Sequence, residues 1–181
     1  MKKIIALIAL SLVLVFIGGC GKKVQQKAQL DELANAPQWV KEAEYEQGKV
    51  LQTGMAYETK EGFRAARDAA FNDAKGKIAA ILENKYTKIF SRIDPEGKYQ
   101  DTTMQAKEKL LKLSLESVKM NKLYQTSQTA RVYLQAVVDI NTLEETIDGF
   151  FIQEIQRYNY LFKNYMLLKN SGDLHIILAN E

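Results

Sequence analysis

The sequence predicts an α+β fold: a small antiparallel sheet in strand-helix-helix-strand-strand-helix order, with a long packed helix and a C-terminal aromatic helical extension. Three observations carry this reading. Apolar residues recur at three- and four-residue spacing from Glu61 to about Phe90, they alternate with polar ones from Arg131 to Ile140, and helical spacing resumes at Leu143. The chain has 181 residues, 46% of them hydrophobic, and two prolines, which suits one domain with a core of its own.

Pro37-Gln38-Trp39-Val40 opens the folded body, with the one tryptophan as a core or rim anchor. Lys49 to Thr59 carries Val50, Leu51, Met55 and Tyr57 and predicts the first strand; Gly54 in its middle leaves room for a bulge or for a closely packed helix. In the long helix that follows, Phe63, Ala66, Ala70, Ala74, Ile78, Ile81 and Leu82 form one stripe. Its alanines let the helix lie close across strands. Gly76 costs that helix about 1 kcal/mol relative to Ala, which suits a backbone that is closely approached. Asp94-Pro95-Glu96-Gly97 is a turn, and Thr102-Thr103-Met104-Gln105 has capping-box spacing for a second helix starting at Thr102. Ala106, Leu110, Leu113 and Ser117 would be its buried face.

Val118 to Gln125 pairs as a hairpin with Arg131 to Ile140, whose Val132, Leu134, Ala136, Val138 and Ile140 predict a strand with one buried face. Asn141-Thr142-Leu143-Glu144 then caps a third helix, with Asn141 as N-cap. Its stripe of Leu143, Ile147, Phe151, Ile155, Tyr158, Phe162 and Tyr165 carries the helix toward Leu168. Beyond Asn170-Ser171-Gly172-Asp173, the run Leu174 to Leu178 reads as a strand-like tail.

The N-terminus has a separate logic. Met1-Lys2-Lys3, the 14 residues Ile4 to Ile17 that are apolar except for Ser11, and Gly18-Gly19-Cys20 have the layout of an export signal. The apolar run falls short of the roughly 17–25 residues that span a bilayer. The small residues before Cys20 resemble the bacterial lipobox, with Ile17 and Gly18 where Leu and Ala or Ser are usual. That resemblance implies cleavage between Gly19 and Cys20 and lipidation of Cys20; an uncleaved signal anchor with a free thiol is the alternative. The organisation expected is signal 1–19, anchored tether 20–36, α+β domain 37–155 and extension 156–181. The resemblance also implies the outer membrane, since the position after the cysteine is Gly21 and not the Asp that retains such proteins at the inner membrane. The formal charge of +3 includes Lys2 and Lys3, so the chain from Cys20 onward has 25 − 2 = 23 basic residues against 22 acidic, and nucleic acid is not an expected partner.

Chemistry is sparse. One Cys and one His exclude disulfide frameworks and multi-histidine metal sites, and no phosphate-binding, dinucleotide or nucleophile-elbow motif occurs. His175 lies in an apolar tail without a nucleophile near it in sequence. No catalysis, metal or cofactor is expected. Phe150, Phe151, Tyr158, Tyr160, Phe162 and Tyr165 crowd six aromatic residues into 16 positions on more than one helix face. Either the domain packs both faces itself, or the second face meets another protomer or an envelope partner.

Cys20, Pro37-Gln38-Trp39-Val40, Gly54-Met55-Ala56, Ala74 to Leu82 and the strand Val132 to Asp139, in that order and spacing, resemble the small bacterial lipoproteins typified by the twenty-kilodalton lipoprotein antigen of Helicobacter. The resemblance covers about Cys20 to Ile155. It implies a dodecin-like fold, frequent dimerisation, an outer-membrane or released location, and no catalytic residue to carry over. Related domains occur in flagellar disk lipoproteins. The expectation is a non-catalytic, lipid-anchored envelope protein that self-associates or binds an envelope partner; the alternatives are a flagellar disk scaffold and a binder of a small ligand, as dodecins bind flavins.

Overall fold

The structure is a computed structural model that describes residues 33–127 and 129–180. The expected signal, Gly19, Cys20 and most of the tether lie outside the described residues. Two compact units divide at Lys41 and Glu42. In the first, helix α1 (Gln38–Lys41) follows Pro37, Trp39 is half-buried, and the Lys41 ammonium donates to the Ala34 carbonyl at 2.8 Å.

The second unit holds an antiparallel sheet in the order β1-β3-β2, made of β1 (Lys49–Tyr57), β2 (Lys119–Gln125) and β3 (Arg131–Asp139). Helix α2 (Phe63–Ile93) crosses β1 and β3 on one side. Ala66, Ala70 and Ala74 lie buried against the sheet, and Gly54 is the position in β1 where the helix backbone comes closest. Helix α3 (Gln100–Glu116) packs on α2, and α4 (Ile140–Phe150) leaves β3 directly. A π-helical turn at Phe151–Ile155 follows, then α5 (Asn159–Asn170) and α6 (Asp173–Ala179). The α+β class and the long sheet-packed helix are as the periodicities predict.

Several local expectations are corrected. Leu174 to Leu178 is helix, not strand: Leu174 and Leu178, four apart, are the buried pair, and Gly172 at φ 80 separates α6 from α5. A five-residue apolar run fits either state, and here the i, i+4 face finds the core. The third helix does not run unbroken to Leu168. Spacings of exactly four drift about 40° per step on a 100° helix, and the wider π turn brings Phe151 and Ile155 back to the core side. Helix α3 starts at Gln100, and the Thr103 hydroxyl turns back to the Gln100 carbonyl at 3.0 Å. The preceding turn is held instead by Asp94, whose carboxylate accepts the amides of Lys98 and Tyr99 at 3.0 and 2.9 Å. Asn141 lies inside α4, with Asp139 at the N-cap position. A Cβ on Gly76 would meet nothing within 4 Å, so its propensity cost has no packing reason.

The buried face of α3 is Ala106, Leu110 and Ser114; Leu113 is half-buried and packs against the core as expected, while Ser117 is the C-cap. Ser114 is buried because it serves Tyr86: their hydroxyl oxygens are 2.5 Å apart, and Ser114 donates on to the Leu110 carbonyl at 2.9 Å. Burial pushes the Tyr86 phenol up to about 12, against the weaker lowering effect of Ser114. Unfolded tyrosine ionises near pH 10, so the folded state holds this proton longer and stability falls as pH rises from about 10 to about 12. That gap is worth roughly 3 kcal/mol. Thermal melts from pH 9 to about 12 are expected to fall steeply in the wild type and less in Tyr86→Phe; parallel curves would refute the assignment.

Candidate functional site

The six aromatic candidates divide. Phe150, Phe151 and Tyr165 are buried in the chain's own core and are thereby corrected as interface residues. Phe151 stacks on Tyr165 with ring centroids 3.9 Å apart at 12°, and also meets Phe90 at 5.8 Å and Phe150 at 5.9 Å. The Tyr165 hydroxyl donates to Asp148, whose other oxygen takes Lys169 at 2.5 Å, and burial followed by the Asp148 bond raises the Tyr165 pKa above the ordinary phenol value. Phe162 is half-buried beside Tyr165. Tyr158 and Tyr160 are half-buried as well, packing against Tyr99 with centroids 6.1 and 5.9 Å away, and Arg157 and Lys98 lie over their rings at 5.1 and 5.8 Å. Asn164 donates to the Ile93 carbonyl at 2.8 Å and so holds α5 against the end of α2. This extension is a structural layer.

The second face of the sheet is turned away from α2. Strand alternation places Leu51, Thr53, Met55 and Tyr57 of β1 on it, opposite Val137, Gln135, Tyr133 and Arg131 of β3, with Tyr124 of β2 beside Tyr133. The one-sided reading of β3 is therefore corrected, since Arg131, Tyr133 and Gln135 are also buried. At one end Glu44 reaches over the face, accepting from Lys122 at 2.6 Å and from the Gln135 amide at 2.9 Å, with Asn121 donating to the Gln135 oxygen at 2.6 Å. Those contacts, Lys122 first, hold the Glu44 carboxyl below the usual range. At the other end Met55 and Tyr57 stay 38% and 52% exposed. Arg131 lies over the Tyr57 ring at 5.2 Å, and its buried Nε has no hydrogen-bond partner. Nothing in the sequence joins these residues until the register of three strands is known.

The outward edge of β1 is clipped by α2. Asp73 accepts the Met55 amide at 3.0 Å, Lys77 donates to the Thr53 carbonyl at 2.8 Å, and the two side chains pair at 2.9 Å. This protects an edge that would otherwise pair with another strand. On β2 the edge carries Lys119, Lys122 and a register shift between Met120 and Lys122, which also oppose strand addition.

His175 is exposed and its Nδ1 lies 2.7 Å from Glu144 Oε1, a contact joining α6 to α4. Among the described residues no three His, Cys, Asp or Glu side chains gather as a metal site, and no helix is long and apolar enough to cross a membrane. Compared with known proteins, the chain matches no family model and no curated protein.

Proposed function

We propose that the chain is a non-catalytic, lipid-anchored protein of the bacterial cell envelope whose body self-associates through the outer face of its sheet. The anchor rests on the basic start, apolar run and Gly19-Cys20 junction of the sequence. The observation that carries self-association is the outer sheet face, where Met55 and Tyr57 are exposed with Tyr124 half-buried nearby, while α2 packs on the opposite face. A second copy is the occupant that suits it. A two-fold contact sets the same patch against itself; at its rim Lys122 pairs with Glu44, and Gln125 donates to Glu58.

Sedimentation equilibrium of the chain from residue 20, carrying Cys20→Ser, is expected to give at least twice the monomer mass at about 100 µM, and Met55→Glu is expected to weaken association about tenfold or more. A wild-type monomer at that concentration refutes self-association. In cells, labelling with an acyl analogue is expected to be lost in Cys20→Ser; retained labelling refutes the anchor.

A further inference from the structure

Beside β1, past the end of the Asp73–Lys77 clip, lies a cavity of ≈ 580 Å³ bounded by α2 and the end of α6. That volume is within the roughly 300–1,000 Å³ of small-molecule sites. Val50, Leu51, Ile81, Ile140 and Leu178 give it aliphatic walls. Among the described residues three lysines also line it, Lys49, Lys85 and Lys88, with Glu44 as the carboxylate, and Glu44 is already engaged by Lys122 and Gln135. Lys85, 6% exposed, donates to the Asn180 carbonyl at 2.5 Å and the Ile177 carbonyl at 3.3 Å, fixing the end of α6 as a wall. Lys49 pairs with Glu46 at 2.5 Å, while Lys88 stands exposed at the mouth. The backbone adds a polar contact. Thr53 turns its carbonyl and Met55 its amide outward from β1, and the same alternation turns the Leu51 amide outward beside the cavity it lines.

We propose that this cavity binds a single-chain anionic amphiphile of the fatty-acid type, its chain against the aliphatic walls and its carboxylate at Lys88 and the Leu51 amide. Apolar walls with the exposed ammonium of Lys88 at the rim match an apolar body with one anionic end. A planar aromatic ligand finds less here, because among the described residues Tyr45 is the one aromatic side chain in the lining and it is mostly exposed. The proposal stands apart from anchoring and self-association.

The probe is cis-parinaric acid, a fluorescent long-chain fatty acid, titrated into the chain from residue 20 carrying Cys20→Ser, so that any bound acyl chain comes from solution. Saturable fluorescence enhancement is expected below about 50 µM, with the neutral methyl ester bound about fivefold more weakly. Lys88→Glu is expected to weaken the acid about fivefold and leave the ester unchanged. Ile81→Trp, which fills the cavity from a half-buried position, is expected to abolish binding of both. Met55→Glu, away from the cavity, is expected to bind the acid as wild type does, so a failure of self-association and a failure of this site are read separately. Absence of saturable binding overturns the proposal, as does equal affinity for acid and ester, or wild-type binding by Ile81→Trp with an unchanged circular dichroism spectrum. Because Lys88 is exposed, its selective effect decides the matter even where Ile81→Trp fails to fold.

Discussion

Gly54→Ala is expected to remove most of the folded population, at a cost of at least about 3 kcal/mol. A Cβ at this position would lie 2.0 Å from the Ala70 carbonyl oxygen, 2.4 Å from the Ala74 amide nitrogen and 3.0 Å from the Ala74 Cβ. Two of these three are helix backbone, which has no rotamer to change. Relief requires α2 to lift from β1, and α2 is also the element that covers β3. Lifting it loosens the buried row of Ala66, Ala70, Ala74 and Ile78 as a unit. Against a typical total of about 5–15 kcal/mol, the loss is a large fraction. Urea unfolding followed by circular dichroism measures it, with Gly76→Ala as the control: in the same helix, with open space at its Cβ, that change is expected to be neutral or stabilising by up to about 1 kcal/mol. A Gly54→Ala midpoint equal to wild type would mean that the helix does not approach the strand so closely.

This contact was largely legible beforehand. Glycine in a strand pattern and alanine at every fourth helix position are complementary signals, and both are local. The alternation of β3 was equally plain, because burial on the helix side has a period of two. What escaped depends on distant partners. The polar side of β3 reads as solvent-facing until Glu44, Asn121 and Lys122 gather over Gln135, and the segments that bring them there are separated by 78 residues at the Glu44–Lys122 pair. Ser114 looks like a surface residue until Tyr86, 28 residues away, reaches it. The cavity is drawn from β1, α2 and α6, and its third wall exists only because Leu174 to Leu178 is helical. Capping also failed for a tertiary reason. Thr102 and Asn141 have suitable chemistry, but α4 starts where β3 leaves the sheet, and Asp94 already satisfies the amides leading into α3.

Phe151→Ala is expected to cost about 3–5 kcal/mol, the range for deleting a buried aromatic ring. Phe151 is fully buried in the π-helical turn and touches three rings from α2, α4 and α5. Alanine there leaves a cavity among Phe90, Phe150 and Tyr165, and the stacked face of Tyr165 loses its only 3.9 Å partner. The two readings of the aromatic run make opposite forecasts for this substitution. A partner-facing Phe151 would lower the mass in solution and leave the melting temperature nearly unchanged, since exposed rings contribute little to a monomer's own stability. A core Phe151 lowers the melting temperature, and in whatever fraction remains folded the mass is unchanged, because the outer sheet face is elsewhere. Tyr160→Ala separates the cases further: that ring is half-buried against Tyr99, so its loss is expected to cost about 1–2 kcal/mol, well below the Phe151 value. A larger effect at Tyr160 than at Phe151 in paired denaturation and light-scattering measurements would reverse the assignment and return the extension to the role of a docking surface.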